Sequence, residues 1–199
     1  MSGGGTIDLV LASTSRYRRE LLARIVPDFR QLASAVDETP QPDEAPSILA
    51  QRLARAKAQA VSLQCPGAIV IGSDQVAELD GIAVGKPGDR SRAQAQLLRA
   101  SGRTVTFHTA VCVIDARHSP STELQALDCT RVCFRKLDAA EIARYLERER
   151  PYDCAGSFKA EGLGIALFER IESHDPTALI GLPLIALSRL LRERGVAVI

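Results

Sequence analysis

The stretch LASTSRYRREL (residues 11–21) sets Ser13 and Ser15 directly before a cluster of arginines, Arg16, Arg18 and Arg19. Serine hydroxyls and the free backbone N–H groups of a helix start can donate to phosphate oxygens. Positive charge in a first helical turn opposes the helix dipole unless an anion is bound there. Arg18 precedes Leu21, Leu22 and Ile25 by three, four and seven positions, so it projects on the inward side of the helix start. An inward guanidinium needs a partner, either a phosphate that fits its planar fork or an internal carboxylate.

Further along, Lys57 follows Leu53 by four residues and precedes Val61 by four, on the inner edge of a long amphipathic segment. A lysine there either snorkels to solvent or meets an anion. Asp74 follows the apolar run Ala68–Ser73, at the carboxyl end of a central strand, where ligands of open α/β sheets bind. An aspartate so placed can hold a divalent metal or act as general base on water, or it can simply close a turn. Lys86 is held between Gly85 and Pro87, as a phosphate-binding lysine or as a surface one. VDE (36–38) supplies Asp37 and Glu38 at a strand end, in a site or in a solvated acidic loop. Glu161 lies in the glycine-rich KAEGLG turn, as a charged loop tip or as a carboxylate able to pair with the N1–H and exocyclic amine of guanine. Together these residues supply hydroxyls, cations and carboxylates, which hydrolysis of a metal-bound nucleoside triphosphate requires.

Other chemistry is disfavoured. No Walker A loop and no G-x-G-x-x-G fingerprint occur. The three histidines, His108, His118 and His174, are scattered and form no triad or metal spacing. The five cysteines lack a C-x-x-C pair, so Cys65, Cys112, Cys129, Cys133 and Cys154 are expected as buried structural thiols of a reducing compartment. A net charge of +1 argues against a broad basic surface for a nucleic acid polymer. No apolar run is long enough to span a bilayer, and MSGGGT (1–6) resembles a flexible lead-in, not a secretory segment, so the expected location is cytoplasmic.

The elements that must position these residues follow from the apolar pattern. A strand at 7–11 leads into the helix that Ser13 or Ser15 caps, and 29–34 forms a second strand before the Pro- and acid-rich loop 36–44. A helix at about 45–63 has Leu49, Leu53, Ala56 and Ala60 as its apolar stripe. A central strand at 68–79 turns at Asp80–Gly81, and a helix near 90–100 is capped by Asp89 or Ser91. Runs at 104–115 and 124–134 make a long hairpin, a helix at 138–149 starts at Asp138, and 154–173 is glycine-rich and then strand-like. A last helix at 181–195 has Pro183 in its first turn and Gly195 beyond its end. With no internal repeat and no linker, the pattern predicts one α/β domain over 1–199, with two lobes around a cleft.

In order along the chain, LASTSRYRRELL, VDE, ARAKA (54–58), IGSDQV, GKP, CAGSFKAEGLG and GLPL resemble the motifs of the Maf family from Leu9 to about Arg194. The resemblance implies a nucleotide pyrophosphatase with a fold related to inosine triphosphate pyrophosphatases: an elongated mixed sheet, helices on both sides, a cleft, and a homodimer. It implies Asp74 as general base or water-orienting group, Lys86 at the reacting triphosphate, and Ser13, Ser15, Arg18 and Lys57 as phosphate ligands. It also implies a divalent metal, Mg²⁺ or Mn²⁺, near Glu38 and Asp74, with Tyr17, Gln75 and Glu161 reading the base. The Gln75 and Glu161 pair resembles the branch that hydrolyses 7-methyl-GTP. Tyr17 stands where that branch often has tryptophan, yet it still offers an aromatic face to a positively charged 7-methylguanine. Two other functions remain compatible with the sequence: a non-catalytic nucleotide-binding regulator of cell division, and a housecleaning pyrophosphatase for other modified or pyrimidine triphosphates.

Overall fold

The computed structural model describes residues 7–199; the expected lead-in at 1–6 lies outside the described residues. The chain folds into a mixed sheet of β1 (Leu9–Ala12), β2 (Arg30–Leu32), β3 (Ile69–Leu79), β4 (Ile82–Val84), β5 (Thr104–Asp115), β6 (Thr122–Phe134) and β7 (Phe168–Glu172). The strand order is β2-β1-β3-β5-β6-β7, with β4 added to β3. β1 runs parallel to β2 and β3, and the other pairings are antiparallel. The helices are α1 (Arg16–Leu22), α2 (Pro46–Ser62), α3 (Arg90–Ala100), α4 (Ala139–Glu149) and α5 (Leu184–Glu193).

Local chemistry explains most boundaries. Ser15 Oγ accepts from Arg18 N at 3.4 Å as the cap of α1, while Ser13 Oγ accepts from Ser15 N at 3.1 Å inside the preceding turn. Asp89, not Ser91, caps α3. Asp138 and Glu141 form a reciprocal capping box on α4, an arrangement that contributes about 1 kcal/mol. Pro183 becomes the N-cap of α5, just outside the helix where the sequence placed it, and Gly195 adopts φ +75° after its end.

The helices cover both faces. α2 packs Leu49, Ala50, Leu53, Ala54, Ala58 and Val61 onto Val70, Val76, Ala110 and Cys112. On the opposite face α1 and α5 bring Leu21, Leu22, Leu187 and Leu190 onto Leu11, Ile71 and Val111. A third core gathers Ala77 and Leu79 at the far end of β3 with Phe107, Phe134, Phe158, α3 and α4. Two neighbouring strands, β3 and β5, thus enter all three cores, and the expected lobes are two ends of the same sheet.

The apolar stripe of α2 differs from the expected one. Ala56 and Ala60 are half-buried, whereas Ala50, Ala54 and Ala58 are buried. The cause is a close approach at Gly72: a Cβ there would lie 2.2 Å from Ala54 O and 2.6 Å from Ala58 N. Only small residues on the helix and glycine on the strand allow this contact. Gly72→Ala is expected to destabilise the fold by about 3 kcal/mol, the upper end of overpacking costs, because backbone must move. A lowered denaturant midpoint with an unchanged slope measures it.

Cysteine burial also departs from expectation. Cys129 is exposed and Cys154 half-buried, while Cys65, Cys112 and Cys133 are buried. Cys129 and Cys133 share a face of β6, but β7 pairs only with Arg131–Phe134 and leaves Cys129 on an uncovered stretch.

Candidate active site

The cleft arises from a gap in strand pairing. Along one edge of β3, β1 pairs with Ile69–Ile71 and β4 with Ala77–Leu79, so Gly72–Val76 has no strand beside it. The other edge stays paired with β5 throughout. Side chains from both faces of β3 can therefore reach one cavity through the gap. Asp74 lies inside the strand, opposite Ala110, and not at its end as the sequence suggested. What ends beside it is β1, and that is why the carboxylate is reachable.

The cavity is about 800 Å³ and is lined by Ser13, Ser15, Tyr17, Arg18, Glu38, Lys57, Asp74, Gln75, Lys86 and Glu161, among others. These ten residues singled out in the sequence therefore border one space, whereas Asp37, offered beside Glu38, is exposed, accepts from Thr39 N at 2.9 Å and does not line it. Phe107, Phe158, Asp153, Cys154 and Gly181 also line it and were missed. Phe158 and Gly181 fall inside quoted motifs, but nothing in their types marked them. Phe107 lies in a hydrophobic strand run where no sequence signal separates a cleft wall from ordinary core.

Lys57 is the hub of the charged end. Its Nζ lies 2.6 Å from Asp74 Oδ1 and 2.5 Å from Glu38, and its side chain is only 7% exposed, so it does not snorkel. Gly72 lets α2 approach closely enough for this contact. Arg18 Nε donates to Gly181 O at 2.9 Å, and its terminal nitrogen lies 4.0 Å from Asp74 Oδ1. Of the two expected partners, the internal carboxylate is near it, but the principal one is a backbone carbonyl that the sequence did not suggest. Burial lowers the Arg18 pKa, opposed by the charges of Asp74 and Glu38. It remains a cation at any working pH, because an arginine starts so high. Burial also works against ionisation of Glu38, but the hydrogen bond from Lys57 and the charges of Lys57, Lys86 and Arg18 prevail and hold its pKa below the ordinary value. Lys86 is exposed at the rim.

The other end is aromatic and less charged. The Tyr17 phenol is pushed up to about 12 by burial and by the nearby Cys154 and Asp153, so it stays neutral. The Arg16 guanidinium lies 4.9 Å over its ring. Gly156, at φ +74°, leaves room for Phe107, whose ring a Cβ there would meet at 2.9 Å. Phe107 and Phe158 then pack edge to face, with centroids 5.2 Å apart. Glu161 is carried on a tight turn in which Glu149 Oε2 accepts from Leu163 N at 2.8 Å, and in which a Cβ on Gly164 would lie 2.4 Å from Lys159 O. Lys159 is engaged by Glu149 at 3.5 Å, and Glu161 is exposed.

Among the described residues, no group of three or more His, Cys, Asp or Glu side chains is arranged to hold a metal. Glu38 and Asp74 are instead bridged by Lys57. Two carboxylates facing a polyanion site nonetheless suit Mg²⁺, which commonly takes one or two protein carboxylates and completes its shell with water and substrate phosphates. The donor set fits that mode of binding.

A family model described as Maf-like protein matches residues 8–194. The chain belongs to the Maf family. Several relatives of this Maf chain are named 7-methyl-GTP pyrophosphatase. That of Xanthomonas oryzae pv. oryzae (strain MAFF 311018) is 63% identical over 187 residues, covering 94% of this chain and 96% of the relative. Those of Ralstonia nicotianae and Bordetella pertussis are 57% and 56% identical; they cover 93% and 94% of this chain, and the matches take in 94% and 92% of the relatives. Among solved structures, the Ham1 protein of Staphylococcus aureus matches with a TM-score of 0.53 at 13% identity, over 94% of this Maf chain and 99% of that one. A HAM1 protein from Coxiella burnetii matches at 0.52 and 16% identity, over 94% and 100%. At such identities the likeness concerns the fold alone, and it agrees with the mixed sheet and cleft expected from the sequence.

Proposed function

We propose that this chain is a nucleoside triphosphate pyrophosphatase that hydrolyses 7-methyl-GTP to 7-methyl-GMP and pyrophosphate. The observation that carries the reading is one cleft whose charged end gathers Arg18, Lys57, Lys86 and Asp74, and whose aromatic end holds Tyr17 and Glu161. The names of relatives at 54–63% identity support the same substrate.

In this reading Ser13, Ser15, Arg18, Lys57 and Lys86 bind and neutralise the triphosphate. Lys57 Nζ engages Asp74 Oδ1 at 2.6 Å. An incoming triphosphate offers Lys57 and Arg18 a more strongly charged partner and leaves Asp74 available to water. Asp74 accepts the proton of that water as its oxygen bonds to the α-phosphorus, the bond from that phosphorus to the bridging oxygen breaks, and pyrophosphate leaves in line. Glu38 and Asp74 would hold Mg²⁺ or Mn²⁺, which when bound supplies charge neutralisation and fixed phosphate geometry. Tyr17 offers a neutral aromatic face to the cationic base, and Glu161 accepts from the guanine N1–H and exocyclic amine.

We also read the whole chain as one Maf-like unit that works in the cytoplasm, as a homodimer, on a small-molecule nucleotide. No helix among the described residues is long and apolar enough to cross a membrane.

The test is pyrophosphate release with Mg²⁺ or Mn²⁺ from 7-methyl-GTP, GTP, dTTP, UTP and CTP. Preference for 7-methyl-GTP is the expected result, and release confined to the pyrimidine nucleotides would overturn the base reading. Glu161→Gln is expected to lower kcat/KM for 7-methyl-GTP by about 10- to 100-fold, the worth of a charge-assisted hydrogen bond, while UTP changes little. Equal losses on both nucleotides would assign Glu161 to the fold or the metal instead.

A further inference from the structure

The side-chain amide of Gln75 is held by groups that the triphosphate chemistry does not use. Its Nε2 donates to Ala178 O at 2.9 Å, to Leu179 O at 3.0 Å and to Thr109 Oγ1 at 3.1 Å. The Thr109 hydroxyl in turn donates to Ala178 O at 2.9 Å, so its oxygen meets Gln75 with a lone pair only. A flipped amide would turn its carbonyl oxygen onto the carbonyls of Ala178 and Leu179, which have no proton to give, and would require the Thr109 hydroxyl to abandon Ala178 O. The partners therefore fix which end is nitrogen. Gln75 lines the cleft, and its Oε1 is not among the buried atoms lacking a partner. The hydrogen bonds of the side chain all run through Nε2, so Oε1 keeps its lone pairs for a ligand.

We propose that Thr109 is a positioning residue for base selection, locking Gln75 so that it presents only a carbonyl oxygen to the nucleobase. A base edge with a donor to spare, such as the second N–H of the guanine exocyclic amine that Glu161 does not take, is then favoured. An edge that presents an acceptor at the same point meets an oxygen with no proton to give. Thr109 is fully buried and touches no part of the cleft, so it acts through Gln75 and through the carbonyls of Ala178 and Leu179. The same segment receives Ser73 Oγ at Gly181 O, 3.2 Å, and Arg18 Nε at the same carbonyl. The wall beside the base and the anchor of Arg18 are thus one short run of backbone. The proposal rests on the nucleotide reading above and adds to it the residue that sets the polarity of the base contact.

The experiment compares Thr109→Val, which keeps the volume and removes the hydroxyl, with Thr109→Ser, which keeps the hydroxyl. Thr109→Val is expected to raise KM for 7-methyl-GTP about five- to tenfold, the worth of the two hydrogen bonds lost, with kcat nearly unchanged and UTP unaffected. Thr109→Ser is expected to restore the wild-type preference. Equal losses on both nucleotides, or no restoration by serine, would overturn the proposal. A second readout needs no substrate: proton exchange of the Gln75 side-chain amide, followed by NMR. Slow exchange in wild type and Thr109→Ser, with faster exchange in Thr109→Val, supports the lock; identical exchange in all three overturns it. If wild-type protein releases pyrophosphate from no nucleotide, the nucleotide reading fails and the amide exchange alone decides whether Gln75 is locked.

Discussion

Asp74→Asn is expected to lower pyrophosphate release by about 10³-fold while nucleotide binding changes by no more than a few-fold. Asparagine has nearly the same shape, and its side-chain oxygen can still accept from Lys57 Nζ, which lies 2.6 Å from Asp74 Oδ1 in the native cleft. What disappears is the capacity to take a proton from water, a contribution usually within about 10²–10⁴. Rapid-quench turnover and equilibrium titration of 7-methyl-GTP measure the two effects separately. Retention of more than about a tenth of wild-type turnover would remove Asp74 from the role of base. Binding lost in proportion to turnover would make it an anchor of the cations around it. Full binding with no turnover even in the wild type would favour the nucleotide-binding regulator over the enzyme.

The second large effect concerns Lys57. Lys57→Met keeps an unbranched side chain one atom shorter and removes the charge that joins Asp74 to Glu38. Asp74 is then a carboxylate, 10% exposed, whose nearest remaining cation is Arg18 at 4.0 Å. Removing one partner of a buried pair usually costs about 3–5 kcal/mol. A value of about 3 kcal/mol is expected, since the Glu38 side chain is 54% exposed and can turn to water. Turnover should also fall to the background, because the triphosphate loses a buried cation. The double variant Lys57→Met with Asp74→Asn should recover most of the stability and none of the activity. That pattern separates the electrostatic pairing from the chemistry, as a double-mutant cycle requires. If the double variant is no more stable than Lys57→Met alone, the cost lies in packing around the helix and not in the uncompensated carboxylate.

Much of this arrangement was legible in the sequence because it depends on local patterns. The hairpin of β5 and β6 shows as strand-like runs at 104–115 and 124–134 around a polar loop, two residues short at the start of β6, and Asp89, Asp138 and Gly195 sit where helix-end chemistry places them. The site residues were legible because serine, arginine, lysine and aspartate stood where an apolar pattern predicted burial. Other features depend on contacts distant in sequence. That Asp74 lies within β3 and yet borders a cavity follows from where β1 stops and β4 starts, which no window around Asp74 reveals. The depth of Lys57 follows from Gly72, and the buried alanines of α2 follow from the same contact. Thr109 looked like one more β-branched strand residue; its role depends on Gln75, 34 positions away, and on Ala178, 69 positions away.

The continuity of β3 has a mechanical consequence. Because the same extended strand runs from Ile69 to Leu79 and stays bonded to β5 along nearly its whole length, the two sides of the cavity are not bodies joined by a hinge. Widening or narrowing the slot means bending a hydrogen-bonded ribbon, which is stiff, and not rotating about a few free torsions. The gauge of the slot is therefore set by the curvature of the sheet. With the run from Ala178 to Gly181 tied to Gln75, Thr109, Ser73 and Arg18, adjustment to different nucleotides falls to the turn carrying Glu161.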